Sequence, residues 1–159
     1  MAKSTKKTQP FLAGSSHATA EASPGFLFWR AFNAWSRLLR AELDRVDLTQ
    51  AQYSVLATLS YLGSAAEHVS QQDVAAQLAM DKMMVSDVVK SLEGKALLMR
   101  KPHPHDGRAF SLRLTAAARR RLQQAVPLVE GIDQRFFGTL KPAELRRFAA
   151  SLVRLSMQP

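Results

Sequence analysis

The sequence predicts an all-α protein with one small β-hairpin. Apolar residues recur at helical spacing over most of the chain beyond residue 24, and a compact helix, turn, helix pattern occupies its middle. Directly after it, two short strand-like runs flank Asp106-Gly107, a tight-turn dipeptide. At 159 residues, 47% of them apolar, the chain is long enough for one core and too short for two independent ones.

Residues 1–24, MAKSTKKTQPFLAGSSHATAEASP, mix Lys, Ser, Thr, Ala and Pro without periodicity and read as a mobile tail. From Gly25 the pattern changes. Phe28, Phe32, Trp35, Leu39, Leu43 and Val46 share one helical stripe, so residues 25–48 read as a long first helix. Leu27, Ala31, Ala34 and Leu38 widen the stripe beyond what a small domain covers, and the surplus points to a second copy of the chain; an ordinary core helix is the plainer alternative. Thr49 and Gln52 form a capping box opening a second helix through Tyr53, Leu56 and Leu59, with Gly63 as its stop. SAAEHVS, residues 64–70, is a linker.

Ser70 and Asp73 make another capping box, and Val74, Ala75 and Leu78 share a face of the third helix. A turn falls at Ala79, Met80 and Asp81. Asp81 is the N-cap of a fourth helix, about 81–94, whose Val85, Val88, Val89 and Leu92 form an inward stripe. Rotation by about 100° per residue then turns Met83, Asp87, Lys90 and Gly94 outward, with Lys82 and Ser86 flanking them. Met84 reads as core. Two strands follow, Leu98 to Lys101 and Ala109 to Leu114, with Phe110, Leu112 and Leu114 inward and Ser111 and Arg113 outward. Asp106-Gly107 turns the hairpin, since Gly adopts positive φ freely and Asp tolerates it, and presents Arg108 at the tip.

Thr115 caps a fifth helix, AAARRRLQQAV; Pro127 should kink it, with continuation through Leu128, Val129, Ile132, Phe136 and Phe137. Gly138 and Pro142 mark a break. In the last helix Leu145, Phe148, Ala149, Leu152 and Leu155 share a face that has no partner in the central unit.

The formal net charge is +9. From Lys95 to Arg121 there are eight basic residues against the single acid Asp106, a net of +7. On its own such a run is a solvated face. Beside a helix-turn-helix pattern it favours a polyanionic partner, because each neutralised phosphate releases counterions.

The middle of the chain resembles the winged helix-turn-helix of the MarR family of bacterial transcriptional regulators. Leu48-Thr49-Gln50-Ala51-Gln52-Tyr53-Ser54-Val55-Leu56 is similar to the family's LTxxQ[YW]xVL, and Asp106-Gly107-Arg108 before an apolar strand is similar to its D-x-R wing. The resemblance spans roughly residues 25 to 156. It implies a winged helix-turn-helix DNA-binding lobe over 49–115, with the wing about 98–114, plus a helical dimerisation region made of 25–48 and 116–159. Val69 would pair with the wing as a short strand. Three positions depart from the family pattern: Asp87 in mid recognition helix, Ala96 where Gly usually precedes the wing, and Met83-Met84 in place of small polar residues.

By the same resemblance, Arg108 enters the minor groove and Asp106 orients it; a narrow groove concentrates negative potential that attracts guanidinium. Their plainer reading is an exposed turn ion pair. Ser86 can donate to a phosphate or base edge, Lys82 and Lys90 neutralise phosphates, and Met83 can meet a thymine methyl. Arg100, Lys101 and Arg113 reach the backbone at most. Asp87 either accepts from cytosine N4 or pairs with a neighbouring lysine. The resemblance implies a homodimer on a pseudo-palindromic double-stranded operator, acting as a repressor relieved by a small aromatic or phenolic effector. Trp29, Phe32, Trp35 and Tyr53 are the aromatics near the implied effector cleft, and equally read as core.

No cofactor is indicated. The chain has no cysteine, which excludes a disulfide framework and a thiol switch. His103, His105 and Asp106 are too local a cluster for a metal site. No Ser-His-Asp order, paired-carboxylate setting or Gly-rich phosphate loop carries an enzymatic reading. No run approaches the ~18 apolar residues of a membrane span, so a cytoplasmic protein is expected. Two alternatives stay open: a non-specific architectural DNA binder, and a protein-interaction module built on the same fold.

Overall fold

The computed structural model describes residues 13–103 and 106–157, without the side chains of residues 103–109. A 3-10 turn at Ala20–Ala22 precedes α1 (Pro24–Leu43), and a second one, Asp44–Val46, leads to α2 (Gln50–Ala65). Then come α3 (Gln71–Leu78), α4 (Lys82–Gly94), β1 (Leu98–His103), β2 (Asp106–Leu114), α5 (Ala116–Phe137) and α6 (Pro142–Ser156). The class is the all-α one with a two-stranded antiparallel wing. The chain divides into two units, Met1–Arg37 and Leu38–Pro159, with α1 running through the division.

In the first unit Arg30 lies 3.7 Å from Glu21 and over the Phe26 ring, and the Phe32 and Trp35 rings are 6.1 Å apart. Phe28 and Trp29 are 58% and 63% exposed, so part of the α1 apolar stripe is uncovered within a single chain.

The second unit holds the core. Leu39 and Leu43 from α1, Val55 and Leu56 from α2, Val74 from α3, Val85, Val89 and Leu92 from α4, and Ile132 from α5 are buried. Local capping sets where these helices begin. Gln52 N donates to Thr49 Oγ1 at 3.2 Å and Thr49 N to Gln52 Oε1 at 3.0 Å. Ser70 and Asp73 repeat the reciprocal pair, and Ala118 N donates to Thr115 Oγ1 at 3.1 Å.

Several boundaries differ from the sequence reading. The first helix gives way to the 3-10 turn after Leu43, because Asp47 turns left-handed with φ 51°. Gly63 does not stop α2, which runs on to Ala65; a glycine ends a helix only where it turns left-handed, and here it stays helical. The fifth helix does continue past Pro127, as expected, and runs to Phe137.

The wing pairs from Leu98↔Leu114 to Pro102↔Phe110, then slips register to His103↔Asp106. Asp106 and Gly107 therefore belong to β2 rather than to a tight turn, and Pro104 and His105 between the strands lie outside the described residues. The expected side alternation also fails at two positions: Phe110 is 49% exposed and Ser111 is 1% exposed. The linker is the reason. Leu112 N donates to Val69 O at 2.8 Å and Ser70 bridges Ser111, so a third backbone rung closes over Ser111 while Phe110 lies one residue nearer the tip.

Candidate nucleic-acid interface and effector groove

Helix α4 is anchored by its start and by one face. Asp81 Oδ1 accepts from Met83 N at 2.8 Å and from Met84 N at 3.3 Å. Val85, Val89 and Leu92 have no exposed surface, which fixes the helix rotation. Lys82, Met83, Asp87 and Lys90 consequently face solvent, and Ser86 is half-buried between the two faces. Met83 is 73% exposed. Met84 is 54% exposed and not core: it lies in the first turn, one residue ahead of Val85 and off the packed stripe. Asp87 Oδ1 lies 3.6 Å from Lys90 Nζ, so the acid in mid helix is partly offset on its own face.

The basic run at the wing is less free than its count implies. Lys95 Nζ donates to Asp47 O and Oδ1, each at 2.9 Å, and Arg121 Nη1 donates to Val46 O at 2.9 Å and Asp47 Oδ2 at 3.1 Å. Arg100 Nε lies 2.8 Å from Glu93 Oε2. These three cations are held in internal ion pairs. The hydrogen bonds from Lys95 and then Arg121 hold the Asp47 carboxyl below the usual carboxylate range. Sequence reasoning passed over Asp47, although an Asp tolerant of left-handed backbone just before a helix cap is a usable signal.

At the wing root, Ala96 occupies the left-handed region with φ 55°, where the family pattern has glycine. Leu97 N still closes onto Leu92 O at 2.9 Å, and Thr115 Oγ1 donates to Ala96 O at 2.9 Å. The side chains of Asp106 and Arg108, on which the wing contact would depend, lie outside the described residues, as do those of His103 and His105.

A groove of about 630 Å³ opens between α2 and α5. Ala57, Ser60 and Tyr61 line one wall; Arg119, Leu122, Gln123, Val126 and Pro127 line the other. Leu122, Val126 and Pro127 give it an apolar side, Ser60, Tyr61, Arg119 and Gln123 supply polar groups, and it is open to solvent along its length. Of the four aromatics singled out from the sequence, Trp29 and Phe32 are exposed on α1 and Trp35 is half-buried there. Tyr53 is half-buried one turn before Ala57, its phenol pushed up by desolvation and by Asp133 and Glu130. The groove therefore brings forward a different set of residues, drawn from two helices whose spacing in sequence carries no motif.

The sequence model of the MarR family matches residues 48–110. An uncharacterized HTH-type transcriptional regulator, YdcH of Bacillus subtilis strain 168, is 38% identical over 122 residues, covering 77% of this chain and 83% of that protein. This chain belongs to the MarR family. It is similar to Bordetella bronchiseptica BpsR, whose structure describes regulation of DNA binding by 6-hydroxynicotinic acid: TM-score 0.79, 30% identity, 86% of this chain and 95% of that one. PcaV of Streptomyces coelicolor, solved with its natural ligand, gives TM-score 0.79 and 25% identity over 89% and 97% of the two chains. As a MarR-family protein the chain is a transcriptional regulator. No helix among the described residues is long and apolar enough to cross a membrane.

Proposed function

We propose that this MarR-family regulator is a homodimeric repressor that reads a pseudo-palindromic operator and releases it when a small aromatic acid binds. The carrying observation is α4, whose buried valine and leucine face aims Lys82, Met83, Asp87 and Lys90 into solvent on a helix capped by Asp81. Ser86 at the edge of that face supplies a hydroxyl for a phosphate or base edge. Arg108, oriented by Asp106, takes the adjacent minor groove, and two such units enter successive major grooves about one helical turn apart.

Dimerisation is supported by uncovered apolar surface at both ends of the chain. Helix α6 has no buried residue, and Leu155 and Val153 are 64% and 56% exposed. A second copy of α1 and α6 is the natural cover. The effector reading is supported by the α2–α5 groove, where Arg119 stands beside the apolar side of Leu122, Val126 and Pro127. Release requires the effector to favour a dimer whose recognition helices no longer fit the two grooves.

Fluorescence anisotropy tests the reading, using wild type and Arg108→Ala on duplex DNA from the region upstream of the regulator's own gene and on a scrambled duplex, across a salt series. Tighter binding to the upstream duplex, weakened about tenfold or more by the substitution, is the expected outcome. Equal binding to both duplexes would favour an architectural binder, and no binding at low salt a protein-interaction module.

A further inference from the structure

Ser60 and Arg119 line two cavities at once. Beside the α2–α5 groove lies a second, polar cleft of about 240 Å³, walled by the last turns of α2, the following linker and β2. Arg119 from α5 and Arg113 from β2 both line this cleft, with Ser60 and Ser64 contributing hydroxyls. Unlike Lys95, Arg100 and Arg121, neither arginine has an ion-pair partner among the described residues. Two arginines lining one cleft without an acid bound to either favour an anion there. Glu67 also lines it, 83% exposed and 3.9 Å from His68 Nε2. Two cations against one acid leave a single positive charge, the match for a monoanion.

The two cavities meet only at Ser60 and Arg119. A bare aromatic acid reaches into one of them only; a ring joined to a carboxylate through a short chain reaches into both. From the shared Ser60 and Arg119 we propose that the groove and the cleft form one two-compartment site for an arylalkanoate, its ring on Leu122, Val126 and Pro127 and its carboxylate between Arg113 and Arg119. This rests on the effector reading above and deepens it. It also supplies a physical link, because the carboxylate would tie a wing strand to the long helix α5. Arg113 is thereby a ligand residue, and its charge is withdrawn from DNA when the site fills.

Isothermal titration calorimetry with 4-phenylbutyrate, its neutral amide and benzoate tests the assignment on the full chain. Wild type should bind 4-phenylbutyrate about tenfold tighter than either other probe, since a carboxylate held by two guanidiniums gains charge-assisted hydrogen bonds that the amide lacks. Arg113→Gln should bring 4-phenylbutyrate down to the level of the amide while the amide and benzoate are unchanged, and Arg113→Lys should restore part of the preference. Thermal melts of both variants check that they are folded. Equal affinity for acid and amide, indifference to Arg113→Gln, or no binding of 4-phenylbutyrate at millimolar concentration overturns the proposal. Failure of the regulator reading is told apart by wild-type DNA binding: release of the upstream duplex by benzoate or 6-hydroxynicotinate, without a 4-phenylbutyrate preference, leaves that reading intact and removes only the cleft.

Discussion

Lys95 Nζ and Asp47 Oδ1 are 2.9 Å apart, and the same carboxylate receives Arg121 at 3.1 Å through its other oxygen. One loop acid thus ties the end of α4 to α5. Hydrogen bonding from Lys95 and Arg121 depresses its pKa in the folded state. A depressed folded value means stability that is present above the unfolded value and lost as pH falls through the folded one. Asp47→Asn keeps a residue that tolerates φ 51° but removes the charge. The variant should be less stable than wild type at pH 7, by a gap that closes as the pH drops below about 4. Urea midpoints at pH 7, 5 and 3 measure this; a gap independent of pH would mean that the charge contributes nothing.

Ala96 at φ 55° carries a left-handed conformation that costs an alanine about 1–2 kcal/mol. Ala96→Gly relieves it but gives up some unfolded-state restriction, for a net gain of about 0.5–1 kcal/mol. Urea denaturation should show a higher midpoint with an unchanged slope.

Asp81→Ala leaves Met83 N and Met84 N without their side-chain acceptor at the start of α4. The expected loss is about 1 kcal/mol of stability. If α4 reads the operator as proposed, operator affinity, read by anisotropy below the unfolding transition, should fall as well, since the first turn of α4 frays. Stability loss with unaltered operator binding would separate that turn from DNA contact.

Asp87 and Lys90 form an exposed pair at 3.6 Å, a contact worth only a few tenths of a kcal/mol. Asp87→Ala should leave the urea midpoint unmoved. Its effect should appear on DNA: tighter binding to a scrambled duplex and a smaller ratio between specific and scrambled sites. If neither affinity nor preference changes, Asp87 takes no part in recognition.

Leu155→Glu places a charge on the apolar face of α6, where Leu155 is 64% exposed in one chain. Buried in a dimer, that charge is opposed by a desolvation cost of several kcal/mol. Sedimentation velocity should show a monomer while circular dichroism keeps the helical signal; a persistent dimer would exclude this face from the interface.

What the sequence alone determined is local. Thr49, Ser70, Asp81 and Thr115 each cap a helix through a backbone N-H two or three residues ahead, so their roles were legible from neighbours in the chain. The stripe of Val85, Val88, Val89 and Leu92 was legible for the same reason, one helical period being enough to define a face, although Val88 at its edge is only half-buried. Tertiary structure decided what depends on distant partners. Lys95 and Arg121 meet Asp47 across 48 and 74 residues of sequence, which turned part of an apparent DNA-facing basic run into internal ion pairs. The Val69 rung buried Ser111 and left Phe110 outside, against the strand alternation. Ser60 and Arg119 belong to different helices, and no spacing rule brings them to one groove; only the packing of α2 against α5 does.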